Sequence, residues 1–110
     1  ANAFDMRILA YDIREIPKAI LEQYGIKQVD LDTLLEESDF VSTNCDLNDS
    51  SYHILSVDEF KKMKQTAIVI NTARGPVIDE AALVCALQER KSQAAGWMSM
   101  NMSRCRWIVL

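Results

Sequence analysis

Two charged residues stand where short apolar runs give way to turns. Arg74 lies in Ala67-Ile68-Val69-Ile70-Asn71-Thr72-Ala73-Arg74-Gly75-Pro76-Val77-Ile78-Asp79-Glu80. There a β-branched run breaks into small polar residues, a cation and Gly-Pro, then restarts as a helix with acidic residues in its first turn. Ligands of open α/β sheets sit in the crevice beyond the carboxyl ends of the strands, so a guanidinium on a tight turn at that edge is placed to meet an anion, a carboxylate above all. Asp12 follows the run Met6-Arg7-Ile8-Leu9-Ala10-Tyr11 in the same way. An isolated aspartate there is ordinarily a turn cap, and the company of the Arg74 segment favours a binding role instead.

The elements that must hold these residues alternate between β-rich runs and helical patterns, the signature of βαβ units and a parallel sheet. Strands are expected at Met6–Tyr11, Ile26–Val29, Phe40–Thr43 and Ala67–Asn71. Helices are expected at Pro17–Tyr24, stopped by Gly25, at Leu31–Glu37 with Leu31, Leu34 and Leu35 on one face, after Ser56, and at Asp79–Glu89. Ser56 and Glu59 have capping-box spacing. Ala82, Leu83, Ala86 and Leu87 are spaced to lie against a sheet.

Composition narrows the class. A chain of 110 residues holds one small domain. Its net charge of -4 and the absence of a basic cluster outside Arg104 and Arg106 argue against a nucleic-acid surface. No apolar run is long enough to span a bilayer and no charged-then-apolar leader opens the sequence, so neither a membrane nor secretion is expected. Cys45, Cys85 and Cys105 are odd in number and far apart, which fits reduced thiols in the cytoplasm better than disulfides or a metal site.

Several other residues have structural readings. His53 has no carboxylate or second histidine near it in sequence and is given no catalytic role. Cys85 is expected on the apolar face of the last helix. Lys61, Lys62 and Lys64 end a helix, where cations favour the dipole, and read as a solvated face.

The Ala67–Glu80 stretch resembles the strand, turn and helix of the D-isomer-specific 2-hydroxyacid dehydrogenases, which interconvert small 2-keto and 2-hydroxy acids with a nicotinamide cofactor. Asp39-Phe40-Val41-Ser42-Thr43-Asn44-Cys45-Asp46-Leu47 is similar to the strand and loop that run along the cofactor in that family, although Asn44, Cys45 and Asp46 replace the histidine, small residue and proline common there. Losing the proline is expected to free the loop.

The resemblance implies an α/β, Rossmann-like parallel sheet that is incomplete, its first βα unit and Gly-rich phosphate loop lying upstream of Ala1. Their loss is expected to leave strand edges near the sheet's centre unpaired. It implies Arg74 as the catalytic arginine that holds a small carboxylate substrate, and Asp12, Asn44, Cys45, Thr72 and Ala73 as cofactor-binding residues. An acidic Asp12 favours NAD over NADP, because a carboxylate accepts from ribose hydroxyls and repels an added phosphate. The parent enzyme is expected to be a homodimer or homotetramer.

Beyond Lys91 the pattern collapses, and Ser92–Leu110 reads as an irregular tail with neither helical nor strand periodicity. Back-translated and read one base earlier, it permits Ile-Ala-Gly-x-Gly-Leu-Asp-Val-x-Glu-x-Glu-Pro, the text the family carries there. Trp97-Met98 forces the aspartate and Met100-Asn101 the first glutamate, since tryptophan and methionine have single codons. Residues 1–91 are therefore read as a partial dinucleotide-binding domain and 92–110 as an out-of-frame tail. Of the family's arginine, histidine and glutamate only Arg74 is present, so the isolated chain is expected to show no turnover and weak or no cofactor binding. Two other readings stay open: a binding or regulatory module derived from the domain, and a frameshifted reading frame without function.

Overall fold

The computed structural model describes residues 4–91 and 106–109. Its sheet contains β1 (Arg7–Ala10), β2 (Ile26–Gln28), β3 (Phe40–Thr43), β4 (Ile68–Asn71) and β5 (Arg106–Val109), in the order β2-β1-β5-β3-β4. Every pairing is parallel. Parallel neighbours need crossovers, here supplied by α1 (Lys18–Tyr24), α2 (Leu31–Glu37) and α3 (Val57–Lys62), while α4 (Glu80–Lys91) follows β4 through a 3-10 turn at Gly75–Val77. The order reverses at the middle of the sheet, with β1 and β2 laid to one side and β3 and β4 to the other. Such a switch point is where an α/β sheet opens a crevice.

Local chemistry accounts for the element ends. Pro17 stands at the N-cap of α1 and Gly25 ends it at φ 62°, a left-handed conformation that a Cβ would strain. Asp30 caps α2 through Thr33, and Ser56 and Glu59 form the expected capping box of α3. Asp79 stands just before α4 as its cap, accepting from the backbone N–H of Ala82 at 3.2 Å.

Leu9 and Val41 of the sheet share one core with Leu34 and Leu35 of α2, Leu55, Phe60 and Met63 around α3, Ile78, and Ala82 of α4. Leu34, Leu35, Val41 and Leu55 are wholly buried, and each contributes about 1.5–3 kcal/mol by leaving water.

Several expectations need correction. Cys85 and Leu87 face outward, because α4 turns Ala82, Leu83 and Ala86 to the core instead. The lysines at the end of α3 are more than a solvated face: Lys62 pairs with Asp32 at 2.6 Å and Lys64 with Asp39 at 2.9 Å, tying α3 to α2 and to the start of β3. The bond to Asp32 holds the Lys62 ammonium above its ordinary pKa.

Of the tail expected after Lys91, the described residues are those of β5. β5 pairs with β1 along four positions, Arg7↔Arg106 through Ala10↔Val109, and with β3 at Ser42↔Val109. The central edge of β1 is therefore covered along its length. The run Arg-Trp-Ile-Val has strand composition but is too short for periodicity to reveal, and only neighbouring strands give its backbone partners.

Candidate functional site

The Arg74 turn is built by side chains of β4. Asn71 accepts from the Thr43 hydroxyl at 2.8 Å and from the Ala73 N–H at 3.0 Å, and its amide donates to the Arg74 carbonyl at 3.0 Å. The Thr72 hydroxyl donates to the Thr43 carbonyl at 2.9 Å and lies against the side-chain oxygen of Asn44. Asn71 and Thr72 thus clamp the carboxyl ends of β3 and β4 together. Arg74 is exposed, with extended backbone, and its guanidinium has no hydrogen bond or ion pair among the described residues. A cation so presented keeps its bidentate face for a ligand.

A second brace joins the two loops behind the turn. The N–H of His53 donates to the Pro76 carbonyl at 2.9 Å, that of Leu55 to Val77 at 3.4 Å, and that of Asp79 to Leu55 at 3.0 Å, around a parallel bridge between Leu55 and Ile78. His53 stacks on Tyr52 and stands 4.0 Å from Asp79, so a carboxylate distant in sequence is its neighbour in space. Bonds from Ala82 N–H and the Ser56 hydroxyl hold the Asp79 carboxyl below the ordinary aspartate range.

The loop after β3 is pinned despite its missing proline. Buried Ser51 donates to the Asp46 carbonyl at 2.5 Å and accepts from the Asn48 N–H at 2.9 Å, while the Asn48 side chain accepts from Ser50 N–H. The expected freedom of this loop is offset by its Asn and Ser turn chemistry.

At the other end, Asp12 is exposed just past β1, one carboxylate oxygen accepting from the Arg14 N–H at 2.9 Å. Gln28 of β2 holds the following loop, accepting from Ile16 N–H at 3.0 Å and donating to the Arg14 carbonyl at 2.9 Å. Nothing in the sequence around Gln28 marked it for this task, since its partners lie across a strand pair.

Asp12 and Arg74 end up on one edge. A groove of about 310 Å³ is lined by Tyr11, Asp12, Arg14, Asn44, Cys45 and Asp46, and a shallower one by Asn44, Cys45, Asp46, Thr72, Ala73 and Arg74. The two share Asn44, Cys45 and Asp46, forming a continuous crevice across the carboxyl ends of the sheet. All the residues singled out for cofactor or substrate line it. A separate groove of about 280 Å³ between α3 and α4 lies among Phe60, Met63, Ala82 and Cys85, with Lys61, Gln65 and Glu89 also on its wall.

Residues 1–98 match the family described as D-isomer specific 2-hydroxyacid dehydrogenase, NAD binding domain. The chain belongs to this family. It is 48% identical over 93 residues to glyoxylate/hydroxypyruvate reductase B of Shigella dysenteriae serotype 1 (strain Sd197), covering 84% of this chain and 28% of that protein. Among solved structures it is similar to the apo D-lactate dehydrogenase from Escherichia coli, at TM-score 0.75 and 39% identity over 82% of this chain and 28% of that one. It is also similar to D-lactate dehydrogenase from Aquifex aeolicus complexed with NAD and lactic acid, at TM-score 0.75 and 36% identity over 82% and 26% of the two chains. The chain therefore spans little more than a quarter of the length of these relatives. Among the described residues no helix is long and apolar enough to cross a membrane.

Proposed function

We propose that this chain carries part of the cofactor and substrate crevice of an NAD-dependent dehydrogenase of small 2-hydroxy acids, and that it has no turnover alone. The observation that carries the reading is the single crevice with a carboxylate at one end and, at the other, a guanidinium without a partner among the described residues. Asp12 fits an adenosine ribose, because its carboxylate stands exposed at the end of β1, where hydroxyl donors are accepted and an additional phosphate is repelled. Asn44, Cys45, Thr72 and Ala73 line the path toward the nicotinamide end. Arg74, its backbone held by Asn71, meets the substrate carboxylate with two parallel N–H groups. Bound NAD would supply the hydride acceptor; the chain's own contribution is orientation and charge.

Turnover also needs a proton donor and acceptor in reach of the substrate. His53, the only histidine of the sequence, is turned to Tyr52 and Asp79 behind the Arg74 turn, and it does not line the crevice. The shifted-frame text of Ser92–Leu110 supports a fragment whose frame slips near Lys91, and the nucleotide sequence of that stretch tests it.

The binding half is tested by titrating NAD into labelled protein and following amide chemical shifts, which detect weak complexes. Shifts confined to Asp12, Asn44, Thr72 and Arg74 are expected, with loss of the response to NAD in Asp12→Ala. Shifts centred on the α3–α4 groove instead would overturn the reading. NADH with glyoxylate, hydroxypyruvate or pyruvate should show no protein-dependent loss of absorbance.

A further inference from the structure

Charge is spread unevenly along the crevice. Of the residues that line its two grooves, the charged ones are Asp12, Arg14, Asp46 and Arg74. Asp12 and Arg14 share one end through their turn bond, and Arg74 stands at the other. Asp46 lies in the stretch common to both grooves, so a ligand running from end to end passes it. We infer that Asp46 sets which oxidation state of the cofactor the crevice prefers, its carboxylate favouring the cationic nicotinamide ring of NAD over the neutral ring of NADH. This role rests on the proposed function, which lays the dinucleotide from Asp12 toward Arg74.

The loop presents the carboxylate on a fixed backbone. Buried Ser51 donates to the Asp46 carbonyl at 2.5 Å and accepts from the Asn48 N–H at 2.9 Å, so one hydroxyl anchors both neighbours of Leu47. The Asp46 carboxylate itself is exposed and has no hydrogen bond or ion pair among the described residues. Thr72 lies against the Asn44 side chain, joining this loop to the Arg74 turn. A proline, common at this place in the family, would bring no charge.

Oxidised and reduced cofactor differ by one unit of charge on the ring, while the pyrophosphate is the same in both. Asp46 repels the pyrophosphate of either form alike, so that repulsion cancels when the two are compared. Its attraction to a cationic ring remains and acts on NAD alone. Unit charges about 4–8 Å apart in water change an equilibrium by about two- to fivefold. Arg74 lines the same groove and opposes a cationic ring, so removing the Asp46 charge leaves that repulsion unbalanced.

Titrating the labelled full chain with NAD and separately with NADH, and reading dissociation constants from amide shifts, tests this. Asp46→Asn keeps the backbone bond to Ser51 and removes only the charge. It should move the ratio of the two constants about two- to fivefold toward NADH, and it should tighten NADH by relieving the pyrophosphate. Asp46→Glu, which keeps the charge, should hold the native ratio. Raising the salt should shrink the difference between Asp46 and Asp46→Asn. A ratio that Asp46→Asn leaves unchanged, an equal change in Asp46→Glu, or no response to either nucleotide at Asn44 and Asp46 would overturn the inference. Crevice shifts with an unchanged ratio sink this role of Asp46 alone, whereas shifts centred on the α3–α4 groove remove the proposed function and this role with it.

Discussion

The two ends of the crevice are held to very different standards. At the Arg74 end, Asn71 alone satisfies three groups, Thr72 adds a strand-to-strand clamp, and the segment around Leu55 staples the loop behind. At the Asp12 end the loop relies on one turn bond to Arg14 and on the two bonds of Gln28. Under the proposed function, a guanidinium that meets a small anion at fixed angle gains from a rigid backbone, since misplacement of a charged donor costs orientation, whereas a carboxylate that accepts from a pair of hydroxyls tolerates more motion. The difference teaches that the polar side chains that brace the crevice are concentrated at its Arg74 end.

Four experiments would break or sharpen that contrast. Leu55→Ala should have the largest effect, since Leu55 is wholly buried and sits in the staple; a loss of about 2–5 kcal/mol in urea unfolding is expected. A loss near zero would mean the staple does not tie the Arg74 end to the core. Asn71→Ala comes next, at about 1–3 kcal/mol, because it strands the buried Thr43 hydroxyl and the Arg74 carbonyl. Its signature is faster amide exchange at Ala73, with Asp12-end amides unchanged.

Gln28→Ala should cost less, about 0.5–1.5 kcal/mol, and accelerate exchange at Ile16 while leaving Ala73 alone. If both ends respond to either substitution, the crevice is one cooperative unit and the contrast fails. The smallest effect is that of pH. Asp79 near the Arg74 turn and Asp30 at the start of α2 both titrate below the ordinary aspartate value, Asp79 chiefly through the Ala82 N–H and Asp30 chiefly through the Thr33 hydroxyl. Their folded pKa lies below the unfolded one, so the unfolded chain binds more protons in between. Their stabilisation is fully present above about pH 4 and is lost as pH falls through the depressed values. Asp79→Asn should flatten part of that acid loss, measured as the urea midpoint against pH.

Most of the strand and helix positions were legible because they are set locally. The β-branched run before Asn71, the Gly-Pro turn and the Ser56–Glu59 box each carry their own instruction, and the helix after the turn starts one residue later than read because Asp79 serves as its cap. Orientation was less legible. The stripe in α4 fits several rotations about the helix axis, and packing chose the one that exposes Cys85 and Leu87.

The sequence by itself determined the class of fold, the family, and the residue types at the two strand ends, because those follow from local propensity and from an unbroken stretch of recognisable text. Only the tertiary structure decided that Asp12 and Arg74 share one edge through Asn44, Cys45 and Asp46, that Gln28 and Ser51 hold the loops, and that Arg106–Val109 lies between β1 and β3. These are pairings between segments far apart along the chain, and a backbone group finds such a partner only when the whole sheet is assembled.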